Sequence, residues 1–128
     1  MHAVVLGCNP GESRHVGAIL RRRDFVVTST RTLEKALTTE ANLYVVDDRV
    51  DGHAAQESVA ALKTLHPQSP VVVLNHSTRR RLPAGALTCV DAGDDSTLES
   101  VASWVRQIRN LPSLLPRSKT PRARVRRS

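Results

Sequence analysis

The sequence predicts an α/β fold: an open, doubly wound sheet of five parallel strands with helices on both faces. Three observations carry that expectation. Apolar, β-branched runs alternate with helical periodicity five times along 128 residues, and such alternation demands parallel strands joined by right-handed crossovers. The run Ala41-Asn-Leu-Tyr-Val-Val-Asp-Asp48 ends abruptly in two carboxylates, as a buried central strand does where it meets the crevice at its carboxyl edge. Trp104, Tyr44 and Phe25 are the only aromatic residues, so the core must be built from Val, Leu, Ile and Ala. That composition suits a β-branched sheet covered by Ala- and Leu-rich helices.

Each element follows in order. Ala3-Val-Val-Leu6 is a short apolar run stopped by Gly7-Cys-Asn-Pro-Gly11, the punctuation of a strand and its turn. Residues 12–23 place Val16, Ile19 and Leu20 at helical spacing, with Glu12 early and Arg21-Arg22-Arg23 late; acid first and base last complements the helix dipole. Phe25 to Thr30 reads as a second strand. Thr32 caps a short helix carrying Leu33, Ala36 and Leu37. The strand at 42–47 follows, then a helix over 53–65 with Ala55, Val59, Leu62 and Leu65 on one stripe, ended by His66-Pro67. Pro70 to Leu74 is a fourth strand and Ala86 to Val90 a fifth. Asn75 to Pro83 between them is polar and has no helical stripe. The last helix spans Ser96 to Asn110, with Leu98, Val101, Val105 and Ile108 inward and Trp104 partly so. The natural order for five such strands is 2-1-3-4-5, the flavodoxin-like arrangement, here with a shortened or missing fourth helix.

Length and charge set the organisation. The chain has the size of one ordinary domain. Residues 1–111 form that domain, and 112–128 read as a disordered basic tail. The tail holds Arg117, Lys119, Arg122, Arg124, Arg126 and Arg127 without an acid. Removing those six from the 19 lysines and arginines leaves 13 against 12 acids, so the body is nearly neutral. No apolar run approaches the roughly 18–20 residues of a membrane span, and no signal pattern opens the chain; a cytoplasmic location is the expectation. Cys8 and Cys89 are too few and too far apart for a disulfide framework or a zinc cluster.

Leu20-Arg-Arg-Arg-Asp-Phe-Val-Val-Thr-Ser-Thr30 with Leu33-Glu-Lys-Ala-Leu37, the strand Asn42–Asp47, and Gly85-Ala86 through Cys89-Val90 together resemble a response-regulator receiver domain of the CheY-like type. The resemblance covers about residues 2–111 and implies two-component or phosphorelay signalling. It also implies a phosphoacceptor aspartate at Asp47, an acidic pair after strand 1 that holds Mg²⁺, a Ser or Thr after strand 4 and a Lys-Pro after strand 5. Here the acidic pair falls on Gly7-Cys8, or on Cys8-Asn9 one residue on. The hydroxyl position is Asn75, and the Lys-Pro position is Ala92-Gly93. Only Asp47 matches. The segment Asn75–Gly85 is also shorter than the family's fourth helix with its flanking loops. The resemblance therefore implies a pseudo-receiver, with Asp47 and Asp48 closing the strand, capping the next turn and staying solvated.

Other patterns carry less. Cys8-Asn-Pro-Gly-Glu-Ser-Arg14 satisfies the Cys-x5-Arg spacing of tyrosine phosphatases. Pro10 removes an amide donor from that cradle and Glu12 places a negative charge in it, so a small buried thiol at a tight turn is the plainer reading. His2, His15, His53, His66 and His76 are scattered without metal-ligand spacing; neither metal nor cofactor is expected. Gly7-x3-Gly11 lacks the Gly-Lys-Ser/Thr of a phosphate loop. The six tail cations suit nucleic-acid phosphates, an acidic protein or an anionic surface, or remain solvated.

The expectation is a non-enzymatic module that binds a protein partner in bacterial signalling or transcriptional regulation, independent of phosphorylation. The contact surface expected from the resemblance is the side of the first and last helices with the 75–83 loop. The first alternative is a phosphorylation-dependent regulator using Asp47, and the second is a nucleic-acid-associated regulator acting through the tail. The oligomeric state stays open, a homodimer included.

Overall fold

A computed structural model describes residues 1–50, 53–76 and 82–110. Five strands form one parallel sheet: β1 (His2–Leu6), β2 (Val26–Thr30), β3 (Leu43–Asp47), β6 (Val71–Asn75) and β7 (Thr88–Asp91), in the order β2-β1-β3-β6-β7. With the two-residue strands counted separately, this is the predicted 2-1-3-4-5 order. Helices α1 (Pro10–Arg22) and α4 (Asp95–Asn110) cover one face, and α2 (Leu33–Leu37) and α3 (Ala55–Leu65) cover the other.

Strand alternation sorts the core into two layers. Ala3, Val5, Leu43, Val45, Val72, Leu74 and Val90 face α1 and α4, meeting Val16, Ile19, Leu20, Leu98, Ala102 and Val105. Val4, Leu6, Tyr44, Val46, Val71 and Val73 face the other way, against Ala36, Val59 and Leu62. Every residue of β3 and β6 is buried, which is why these strands read as continuous apolar runs instead of alternating ones. Each fully buried Val or Leu contributes about 1.5–3 kcal/mol relative to exposure.

Local chemistry fixes the helix ends. The Asn9 side chain accepts from the Glu12 N–H at 2.8 Å, and Pro10 takes the first helical position, where its missing N–H costs nothing. Asp24 at φ 67° closes α1, its N–H donating to Arg21 O at 3.0 Å. Arg22 and Arg23, still 61 % and 41 % open to solvent, both pair with Glu99 of α4, tying the two helices together.

Several boundaries differ from expectation. The helix predicted over 53–65 starts at Ala55, because His53–Ala54 pairs antiparallel with Arg49–Val50 as strands β5 and β4. Backbone pairing there overrides a helical apolar stripe. The fifth strand starts at Thr88 and not Ala86, whose N–H instead closes a turn onto Pro83 O at 3.1 Å. Ile108 is not inward. It is 37 % exposed, and with Trp104 it lines a hollow beside Pro70 and Leu87. Among the described residues between β6 and β7 there is no helix. Arg79-Arg80-Arg81 and the tail at 112–128 lie outside the described residues, as do the tail contacts Arg117, Lys119, Arg122, Arg124, Arg126 and Arg127. Among the described residues no helix is long and apolar enough to cross a membrane.

Candidate functional site

The carboxyl ends of β1, β3 and β6 converge on one polar cluster. Asp47 is the last residue of β3, and its register partner is Leu74 on β6. Gly7 follows β1 with φ 86°, a conformation a side chain would strain, and its N–H donates to Thr30 O at 2.9 Å. That bend delivers Cys8 into the interior and starts α1, whose first turn carries Glu12. His76 is the first residue after β6.

Asp47 does not stay solvated as the sequence suggested. It is 1 % exposed, and His76 Nε2 lies 2.7 Å from its Oδ2. The same nitrogen stands 3.3 Å from Glu12 Oε1, so one imidazole bridges two carboxylates. Glu12 also lies against Asp47 and the Cys8 thiol, with polar atoms of all three within 4.8 Å of one another. A buried carboxylate unsupported by such partners would be strongly unfavourable, and these contacts offset that cost. Asp48 accepts from the His76 backbone N–H at 3.0 Å and donates its own N–H to Leu74 O at 3.0 Å, which holds the imidazole over Asp47.

The electrostatics follow from this crowding. Burial, which penalises the charged form, raises the Glu12 carboxyl above its ordinary value of 4.5. The hydrogen bond with Asp47 and that group's charge push the same way, while His76 and the Cys8 hydrogen bond pull it down.

The residues at the receiver positions are close at hand. Cys8 and Asn75 are buried, and Ala92 donates its N–H to Asn75 O at 2.9 Å. Ala92 and Gly93 line a hollow of about 230 Å³ with Glu12, His15 and Asp91. Asn75 has no hydroxyl, and Ala92 has no ammonium. Sequence reasoning missed Glu12 and His76 as members of the site. The available signal was positional: both lie at the start of a segment leaving the carboxyl edge of the sheet.

Comparison with solved structures gives close overlays at low identity. A two-component response regulator from Clostridium difficile matches with a TM-score of 0.75 and 8 % identity, over 86 % of this chain and 98 % of that one. The BeF3-activated DrrB receiver domain matches at 0.74 and 17 %, over 83 % and 97 %. A sensor histidine kinase receiver domain from Pseudomonas aeruginosa, with magnesium coordinated in its active site cleft, matches at 0.70 and 14 %, over 82 % and 97 %. The fold is that of a receiver domain. Comparison with protein-family models and with curated proteins returns no match.

The magnesium that the receiver fold implies does not fit the side chains gathered here. Mg²⁺ takes an octahedral shell of oxygens. Cys8 offers sulfur beside Glu12 and Asp47, and His76 offers nitrogen beside Asp47 and Asp48, so each set mixes carboxylate oxygen with an atom that Mg²⁺ does not favour.

Proposed function

We propose that this chain is a non-catalytic receiver-fold module that binds a protein partner in cytoplasmic signalling or transcriptional regulation, without phosphorylation of Asp47. The observation that carries this reading is the state of Asp47. Its carboxylate is buried, and one of its two oxygens is already engaged by His76 at 2.7 Å. Phosphoryl transfer depends on positioned cations around the transferring group, and Gly7, Cys8, Asn75 and Ala92 bring no charge to offset.

The surface supports a protein contact. Trp104 is 47 % exposed on α4; with Ile108 and Leu87 it lines an apolar hollow of about 550 Å³. An exposed Trp beside other large apolar groups is typical of protein contact surfaces. The seam between α1 and α4, the other face expected from the resemblance, is closed by ion pairs from Arg22 and Arg23 to Glu99 and from Arg106 to Asp24. The domain limit at 111 and the basic extension over 112–128 belong to this proposal. The six cations there are the part of the chain suited to nucleic-acid phosphates.

The test is incubation with acetyl phosphate and Mg²⁺ followed by intact mass. The expected spectrum shows the unmodified chain. A stoichiometric phosphoryl adduct, lost in Asp47→Ala, would overturn the proposal in favour of a phosphorylation-dependent regulator.

A further inference from the structure

We propose that Cys8, Glu12, Asp47 and His76 form a binding site for a divalent transition-metal ion of the zinc class. The inference stands apart from the partner-binding reading, since it concerns what the cluster itself holds.

Convergence is the first argument. Four side chains with metal-binding atoms arrive from three strand ends: Cys8 and Glu12 after β1, Asp47 at the end of β3 and His76 after β6. The ligand atoms of Cys8, Glu12 and Asp47 all lie within 4.8 Å of one another. His76 Nε2 sits 2.7 Å from Asp47 Oδ2 and 3.3 Å from Glu12 Oε1. Zinc bonds of about 2.0–2.3 Å in a tetrahedron place neighbouring ligand atoms about 3.3–3.8 Å apart. The His76 contacts at 2.7 and 3.3 Å already lie near that spacing, and side-chain rotation would close Cys8, Glu12 and Asp47 from within 4.8 Å onto the same ion. The ion would take the place of the hydrogens that now bridge the groups, and those protons would pass to solvent.

Chemistry selects the class of ion. One thiol, one imidazole and two carboxylates match the mixed sulfur, nitrogen and oxygen sets that hold zinc; magnesium and calcium need oxygen alone. The surroundings supply what a metal site requires beyond its ligands. Asp48 anchors the His76 backbone at 3.0 Å, and Asn9 fixes the turn that carries Glu12, so two of the four ligands are held by neighbours. Cys8 and Asp47 are 3 % and 1 % exposed. The His76 and Glu12 side chains keep 18 % and 20 % of their surface open, which leaves an ion a way in.

The experiment uses the full chain, stripped of metal by a chelator and titrated with Zn²⁺ against a chromophoric indicator. One ion per chain is expected, undisturbed by millimolar-class excesses of Mg²⁺. Substituting Co²⁺ should give the visible bands of a tetrahedral ion and sulfur-to-cobalt absorption in the near ultraviolet. Cys8→Ser and His76→Ala, each checked for folding by circular dichroism, should lower affinity by on the order of 100-fold. Cys8→Ser should also abolish the sulfur band. Cys89→Ser, away from the cluster, should change neither. No stoichiometric uptake, ready displacement by Mg²⁺, or unaltered binding in folded Cys8→Ser and His76→Ala would each overturn the proposal and leave a hydrogen-bonded polar cluster in its place. The phosphodonor experiment reads phosphorylation of Asp47 without reference to Zn²⁺, so either proposal can fail alone.

Discussion

Along β3, Leu43 to Val46 and the adjoining Asp47 are equally hidden from water and held there by different means. Leu43, Tyr44, Val45 and Val46 are each 0 % exposed and lie between apolar layers on both faces. Asp47 is 1 % exposed and depends on His76 and Glu12. For the first four, burial is itself the stabilising event. For Asp47, burial is a cost that specific partners offset, and removing one partner leaves the other's charge stranded. Depth alone therefore says little about a residue. What matters is whether its surroundings would tolerate any apolar side chain of similar size or only this set of groups.

Three experiments separate interior from tip, in descending order of effect. Leu20→Ala removes a fully buried side chain from the layer between sheet and α1, and should cost about 2–5 kcal/mol in denaturant unfolding. Zinc uptake per folded chain should not change; a parallel loss of uptake would mean that interior and tip act as one unit. Asn9→Ala deletes the cap on the first turn of α1 and should cost about 1 kcal/mol. Because that turn carries Glu12, calorimetric titration should show weaker zinc binding here than in the more destabilised Leu20 variant. If Asn9→Ala binds as tightly as the parent chain, the cap serves the helix alone.

The smallest effect is one of pH, in metal-free protein. Glu12 holds its proton more tightly folded than unfolded, since its carboxyl is raised above 4.5. Its contribution is therefore most favourable below the unfolded value, and it is lost as pH rises from there through the folded one. Glu12→Gln should flatten that part of the profile. Urea midpoints from about pH 4 to pH 7, spanning the carboxylate range, give the comparison, and an unchanged slope would place the titration elsewhere.

The fold was largely legible in the sequence because its signals are local. Val71 to Leu74 and Leu43 to Val46 declare buried strands without help from any other segment, and Pro10, Thr32 and Pro67 mark boundaries by their own stereochemistry. Misreadings came where tertiary context outweighs local pattern, as at the β4–β5 pair and at Ile108. The site was half legible. Asp47, Cys8, Asn75 and Ala92 were named through the receiver resemblance, which assigns roles to the residues just past each strand. Glu12 read as a helix-dipole partner, because a side chain in a first turn gives no clue to which neighbour it meets. His76 read as one of several scattered histidines, since its proximity to Asp47 spans 29 residues of intervening chain and exists only in the folded sheet.

The strand order has a consequence in time. β1 pairs with β2 and β3 at the centre of the sheet, while β6 joins outside β3. Every pairing in the main sheet is non-local, and such topologies close slowly. His76 can reach Asp47 only after β6 has docked on β3. A spectroscopic signal from the cluster, such as one from bound Co²⁺, would therefore clock the arrival of the fourth strand during refolding, while tryptophan fluorescence from Trp104 would follow a different helix on its own schedule.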